Sequence, residues 1–349
     1  MGAYNIWNKW DKLETIMVGS CHPLEFYDNI KEDKIRDPLL RITEETLKEL
    51  DYFKSVLKDF GCEVIQAPTE YERIDDWVEQ KQLPRSSLQP RDCQLVLGNK
   101  LLVMALDNRG ILQSLKDYNS EDIVFLDEAN LFSDHFNTTK YEDKFNSDLG
   151  KIRDAPCVTG VGDRVYIDTL GGTTDVKQLI KEQLPDLKIV NLKIGGHNDS
   201  CFAPLKPGAL LSLHDIQNYK VTFPGWDVCY LPDQSWDKVA EWQGIKAKTK
   251  GKWWVPGEEH NDELINFVNT WLTDWVGYVE ETVFDVNVLT LDEHHVCVTN
   301  PNNEQVNAFL KKHKMEPVYI PWRHRYFWDG GLHCITLDLK RQGIKQDYF

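Results

Sequence analysis

Short apolar runs alternate with amphipathic, helix-spaced stretches along most of the chain. The first run, Ile16-Met17-Val18, reads as a strand. Thr43 then stands as a cap for a helix carrying Leu47, Leu50, Phe53, Leu57 and Phe60 at helical spacing; Gly61 ends it, and Cys62 to Pro68 reads as a returning strand. The same order recurs four more times, each copy opening after a turn-forming pair. Gly98-Asn99 precedes a strand from Leu101 to Ala105, answered by Ile123-Val124-Phe125. Gly162-Asp163 precedes Val165-Tyr166-Ile167, a helix bearing Val176, Leu179 and Ile180, and the return Ile189-Val190. Pro207-Gly208 precedes a strand from Ala209 to Leu213, with Val228-Cys229-Tyr230 returning. Asp292-Glu293 precedes Val296-Cys297-Val298, a helix with Val306, Phe309 and Leu310, and Val318-Tyr319-Ile320. Five strand–helix–strand units in one α/β chain are therefore predicted, related by element order and turn chemistry rather than by sequence identity. An ordinary doubly wound α/β protein accounts for the same recurrence, so the pattern alone leaves both architectures open.

Two segments break the rhythm. Residues 127–153 are rich in Asp, Asn and Lys and read as a solvated excursion. Residues 233–285 carry Trp236, Trp242, Trp253, Trp254, Trp271 and Trp275, and include an amphipathic helix candidate from about Glu258 to Trp275 with Leu264, Phe267, Val268, Trp271 and Leu272 on one face. Tryptophans this dense more often cover the edge of a core than bind a sugar or a partner. A single domain over residues 1–349, with 233–285 as a variable excursion, is the expected organisation.

Charge narrows the function. Lys and Arg total 40 against 56 Asp and Glu, a net charge of −16, and no basic run offsets it, which disfavours nucleic acid and anionic membranes as partners. No basic region leads into an apolar segment at the amino terminus, and no run approaches the ~18 apolar residues of a membrane span. The eight cysteines are spread singly, with no Cys-x-x-Cys pair, which predicts reduced thiols in a cytoplasmic protein and no structural zinc.

Three places carry candidate chemistry. In Gly330-Gly331-Leu332-His333-Cys334 two glycines allow close backbone approach before a cysteine that opens an apolar strand, and His333, Arg323 and Arg325 lie near it in sequence as groups that favour a thiolate. The competing reading is a buried, inert cysteine beside a turn. In Gly195-Gly196-His197-Asn198-Asp199 the acid follows the histidine by two residues, which on a strand puts both on one face. A structural histidine fits as well; a metal site fits poorly, because no second His or Glu lies at ligand spacing. Asp92 and Asp154, each after an arginine and just before a predicted unit, suit the rim of a site for a cationic substrate.

Taken together, Trp10 to Gly19, Pro90-Arg91-Asp92, the segment Asp154 to Ile167, His197-Asn198-Asp199, Asn287 to Glu293 and the Gly-Gly-Leu-His-Cys ending resemble, in order along essentially the whole chain, the amidinotransferases that move the amidino group of arginine to an amine. Members using glycine or an inosamine phosphate as acceptor are the nearest in pattern. The resemblance implies a fivefold pseudosymmetric α/β propeller of strand-rich modules around a central pocket. It implies Cys334 as nucleophile, His197 as general acid and base, Asp154 and Asp92 as guanidinium-binding carboxylates, and Asp199 as the acid beside the histidine. It implies small-molecule substrates, L-arginine and an amine, with ornithine released and no cofactor or metal; the oligomeric state is open between monomer and homodimer.

The departures from the family pattern bear on the acceptor. Cys157 stands where another Asp is usual, Ile216 where glycine-using members carry an arginine, and Glu280-Glu281-Thr282 where serines are expected. Glycine is therefore a poor expected acceptor, while Glu281 suits an amine with a positive or neutral tail, and Arg323 or Arg325 remain candidates for a substrate carboxylate. A hydrolase of arginine or a substituted arginine on the same scaffold, and a non-catalytic arginine-binding protein, are the competing readings.

Overall fold

The computed structural model describes residues 3–66, 86–104, 122–126, 155–168, 174–194, 197–213, 218–231, 255, 257–258, 260–272 and 281–349. Asp154, Ile216 and Glu280, the excursion 127–153, and Trp236, Trp242, Trp253, Trp254 and Trp275 lie outside these residues.

The five openings found in sequence become the central strands of five three-stranded sheets: β1 (Leu13–Val18), β4 (Lys100–Val103), β7 (Arg164–Asp168), β10 (Ala209–Leu213) and β13 (His295–Val298). Each central strand pairs in parallel with its return, namely β2 (Glu63–Gln66), β5 (Ile123–Phe125), β8 (Lys188–Leu192), β11 (Asp227–Leu231) and β14 (Glu316–Tyr319). On its other side each pairs antiparallel with a further strand, of which the sequence reading offered only the apolar one opened by Cys334. These leading strands are β3 (Gln94–Leu97), β6 (Val158–Val161), β9 (Phe202–Lys206) and β12 (Leu289–Thr290), and, for the first sheet, the carboxyl-terminal β15 (Thr336–Arg341). The predicted turn pairs are thus the tips of hairpins joining leading to central strands. Gly98, Gly162 and Gly208 adopt φ of 58°, 64° and 82°, a left-handed turn conformation that residues with a Cβ rarely take.

Burial follows the same order within a sheet. Leading and central strands are almost wholly buried, as in β3 and β10, whereas β2 and β14 are half-buried or exposed. The parallel pairing needs a crossover, which α1 (Asp33–Asp59) supplies in the first unit and the helices Thr174–Gln183 and Glu304–Lys312 in the third and fifth. The helix α1 starts ten residues before the expected cap at Thr43. Glu32 accepts from the Lys34 N–H at its start, and Pro38 falls in its second turn, where it removes one backbone bond without ending the helix. Thr43 is buried inside it. The amphipathic segment of the tryptophan-rich region forms the helix Asp262–Trp271, capped by Asn261, with Leu264, Ile265, Val268 and Leu272 buried in the cluster that also holds Leu39, Leu50, Phe53 and Leu57 of α1.

Neighbouring sheets touch in chain order. Ile6 and Gly98 exchange two 2.7 Å backbone bonds between the first and second units. Gly160 of the third approaches Leu97 of the second so closely that a Cβ would sit 2.8 Å from the leucine side chain. The Tyr166 hydroxyl donates to the Thr222 carbonyl at 2.7 Å between the third and fourth. Lys206 reaches the Glu293 carbonyl at 3.0 Å between the fourth and fifth, and the Leu13 N–H donates to the Leu291 carbonyl at 2.8 Å between the first and fifth. The chain end folds back over this body: the Gln346 carbonyl accepts from the Asp163 N–H at 2.8 Å, and Phe349 stacks on Trp226 with centroids 5.3 Å apart. Among the described residues no helix is long and apolar enough to cross a membrane.

Candidate active site

The site is assembled from the segments that enter the leading strands. Asp92 lies two residues before β3, Asp199 three before β9, Asn287 two before β12 and Cys334 two before β15; the 3-10 turn Ala155–Cys157, which follows Asp154, leads into β6. Because the sheets repeat one order, the entrances to β3, β9, β12 and β15 each deliver one polar residue or cysteine. Residues scattered over 242 sequence positions, from Asp92 to Cys334, thereby become neighbours.

Cys334 is 4% exposed. Its Sγ accepts from the Asn287 Nδ2 at 3.0 Å and stands 3.6 Å from the Asp199 Oδ2, to which the thiol donates. The same Asp199 Oδ2 is 2.7 Å from the His333 Nδ1. Two further bonds hold the cysteine turn: Asn287 Oδ1 accepts the backbone N–H groups of His333 and Cys334 at 3.0 and 3.1 Å. From the second unit, Arg91 donates to the His333 carbonyl and to the Asp338 Oδ1, both at 2.8 Å, and Asp338 also takes the Arg341 Nε at 2.8 Å. Asn198 anchors the neighbouring turn by donating to the carbonyls of Cys157 and Tyr166, at 3.0 and 3.2 Å.

The electrostatics correct one expectation from sequence. Burial pushes the Cys334 thiol well above its ordinary value, and the charges of Asp199 and Asp92 push it further; only the Asn287 hydrogen bond and the Gly331 backbone oppose them. His333 supplies no positive charge to counter this. Burial, aided by the Arg91 charge, lowers it to about 4 despite the Asp199 bond, so near neutral pH the imidazole is uncharged and donates from Nδ1. Burial raises the Asp199 carboxyl, yet the His333 bond, with His333, His197 and Arg91 nearby, outweighs it and holds the group well below the usual carboxylate range. The resting site is therefore a protonated thiol facing carboxylates.

The other predicted residues fall as follows. His197 is half-buried at the start of the 3-10 turn Asn198–Ser200, so it and Asp199 share a turn rather than one face of a strand. Asp92 is half-buried in the one-turn helix Pro90–Cys93. Arg323 is bound outward: its Nε donates to Glu49 at 2.7 Å and its Nη1 lies 3.1 Å from Glu45, both on α1. Arg325 donates to the Trp322 carbonyl at 3.0 Å and lies over the Tyr326 ring, 5.0 Å from its centroid. Neither arginine acts as a thiolate-favouring neighbour of Cys334, since the groups that set this thiol are Asp199, Asp92, Asn287 and the Gly331 backbone. Glu281 opens the helix Glu281–Val286, and its side chain lies outside the described residues. Among the described residues no cluster of three His, Cys, Asp or Glu side chains forms a metal site. Asn287 opened one of the segments that carry the resemblance but was given no role from sequence; the signal for one was its offset before a two-residue leading strand too short to read as one.

No family model matches the chain. Mitochondrial glycine amidinotransferase of Xenopus tropicalis is 22% identical over 401 residues, spanning 98% of this chain and 84% of that protein. The L-arginine:L-lysine amidinotransferase of Pseudomonas savastanoi pv. phaseolicola is 21% identical over 393 residues, spanning 98% and 95%. The chain resembles amidinotransferases. Solved structures agree at the level of fold: SxtG, an amidinotransferase of Microseira wollei in saxitoxin biosynthesis, matches with a TM-score of 0.67 and 20% identity over 99% of this chain and 100% of that one. Inosamine-phosphate amidinotransferase of Streptomyces griseus matches with a TM-score of 0.66 and 16% identity over 100% and 99%. The α/β fold of small sheets described above is thus the one these amidinotransferases share.

Proposed function

We propose that this protein is an amidinotransferase that takes the amidino group of L-arginine onto Cys334, releases ornithine, and passes the group to an amine. The observation that carries the reading is a buried thiol set against the carboxylates Asp199 and Asp92. Such a site is incomplete without a cation, and guanidinium is a planar cation that two carboxylates can hold bidentately with its central carbon facing sulfur. Its positive charge would offset the carboxylates that keep the thiol protonated. The thiol proton passes to Asp199, sulfur attacks the amidino carbon, the bond from that carbon to the arginine side-chain nitrogen breaks, and the nitrogen leaves with a proton from His197 as the ornithine amine. In the second half-reaction His197 takes a proton from the incoming amine, whose nitrogen bonds to the amidino carbon as the carbon–sulfur bond breaks. By the family resemblance, Asp154 is assigned as a further guanidinium carboxylate in this proposal.

The closure of the five sheets into one propeller-like ring and a single domain belong to the same proposal, supported by contacts between every consecutive pair of units, including the fifth with the first. For the acceptor, Ile216 and the acidic Glu280 and Glu281 favour a diamine, amino alcohol or basic amino acid over glycine, in keeping with a relative named for lysine. Small-molecule substrates and a cytoplasmic setting complete the proposal. The competing hydrolytic reading draws on a weaker likeness to dimethylarginine dimethylaminohydrolase of Pseudomonas aeruginosa, with a TM-score of 0.53 and 12% identity. Purified protein with arginine, alone and with an amine panel, separates the readings. Ornithine released only when an amine is present supports transfer; citrulline from arginine alone means hydrolysis, and neither product means a binding protein or a different substrate.

A further inference from the structure

Asn287 is fully committed. Its amide has two donors and an oxygen with two lone pairs, and all four are used: Nδ2 donates to Cys334 Sγ at 3.0 Å and to the Asp199 carbonyl at 3.1 Å, while Oδ1 accepts the His333 and Cys334 N–H groups at 3.0 and 3.1 Å. Turning the amide over would set Oδ1 against a carbonyl oxygen and Nδ2 against two N–H donors, so only one orientation is allowed. The side chain is 1% exposed, and its fit against the glycine pair is tight: a Cβ on Gly331 would lie 2.6 Å from Oδ1. Among the described polar groups entering the leading strands, Asn287 alone is a neutral amide donor to the Cys334 sulfur. Asp199 and Asp92 act in the opposite sense, making negative charge on Sγ costly, and neutral His333 does not compensate.

We propose that Asn287 is a catalytic residue whose fixed amide N–H receives the negative charge on Cys334 Sγ in both half-reactions. This rests on the amidino-transfer reading above. In the first step the thiol proton passes to the Asp199 carboxylate to which it is hydrogen-bonded, and the sulfur lone pair forms the bond to the amidino carbon as the carbon–nitrogen bond breaks toward the leaving amine, which takes its proton from His197. In the second, the amine nitrogen bonds to that carbon, the carbon–sulfur bond breaks, and its electron pair returns to sulfur, where the Nδ2–H is already in place. Because the donor is locked before substrate arrives, it costs no reorganisation when the charge forms.

The test is Asn287→Ala, which removes the N–H aimed at sulfur without setting a new charge beside it. The readout is the rate of Cys334 alkylation by iodoacetamide across pH, with no substrate present, the modified peptide identified by mass and Cys334→Ala as blank. The alkylation profile is expected to move to higher pH, with the rate at pH 8 falling ~10-fold, and kcat is expected to drop ~10²-fold while KM changes less than ~3-fold. If Asn287→Ala does not fold, Asn287→Leu, close in size and also without an N–H, carries the same expectation. A folded variant whose alkylation profile matches the unsubstituted protein overturns the proposal and leaves Asn287 only a clamp on the turn. The thiol titration needs no substrate, so failure to turn over arginine would count against the proposed reaction and leave this test intact.

Discussion

At the residue scale, the proposed reaction divides the site into groups that hold charge and groups that move protons. Asp92→Asn removes a negative charge near the thiol without changing shape, and should raise the Kd for arginine by ~10-fold or more, read by calorimetry on the Cys334→Ala background so that no turnover intervenes. His197→Gln should leave that Kd within ~3-fold and cut kcat by ~10²-fold or more. Unchanged turnover in folded His197→Gln would remove the histidine from the mechanism. The sequence offered Cys334, His197, Asp92 and Asp199 as candidates because each sits in a local signature of glycine pairs or charged residues, and the structure brings Cys334 against Asp199 and within the charge of Asp92. It did not make legible that Arg323 is held by Glu45 and Glu49 of a helix more than 270 positions away in the chain, since nothing local distinguishes a substrate-binding arginine from one bound to its own fold.

At the element scale, the turn entering β15 is shaped by contact with another sheet. Gly331 has no room for a side chain, because the Asn287 side chain occupies the place a Cβ would take. Gly331→Ala should therefore displace the Asn287 amide, cost ~1–3 kcal/mol of stability and reduce kcat at least ~10-fold, measured by urea unfolding and initial rates on the same preparation. Wild-type stability and activity together would mean that the turn is looser than these contacts require. The central and returning strands were readable because they are continuous apolar runs flanked by turn residues. Among the leading strands β12 has two residues and β6 is interrupted by Gly160, which hid them, whereas the strand opened by Cys334 was readable but its pairing as β15 with β1, across more than 300 positions of sequence, was not. A pairing partner at that separation has no signature in local periodicity.

At the scale of the whole molecule, a chain of net charge −16 encloses a cationic interior behind the nucleophile. Lys9, Arg91 and Arg341 meet Asp338, whose carboxyl is already bonded to both arginines, so the Lys9 ammonium, 4.0 Å away, is poorly matched. Burial first, then Arg91 and Arg341, lower Lys9 from 10.5 to about 7, against the opposing pull of Asp338 and Asp199. Between those two values the unfolded chain binds one proton more than the folded one, so this group makes stability rise with pH across that window, with its full penalty present below it. Lys9→Met should therefore be more stable than the natural protein at pH 6, by ~1–4 kcal/mol, with the gain shrinking toward pH 10. A gain that does not vary with pH would contradict the charged-lysine account. The central claim, that one buried cysteine carries the amidino group between two amines, is tested most directly by mass spectrometry of protein quenched after mixing with arginine alone. The account predicts the added mass of one amidino group on the peptide containing Cys334, its loss with product formation when an acceptor amine is supplied, and neither adduct nor turnover in Cys334→Ala. Turnover by folded Cys334→Ala would contradict it.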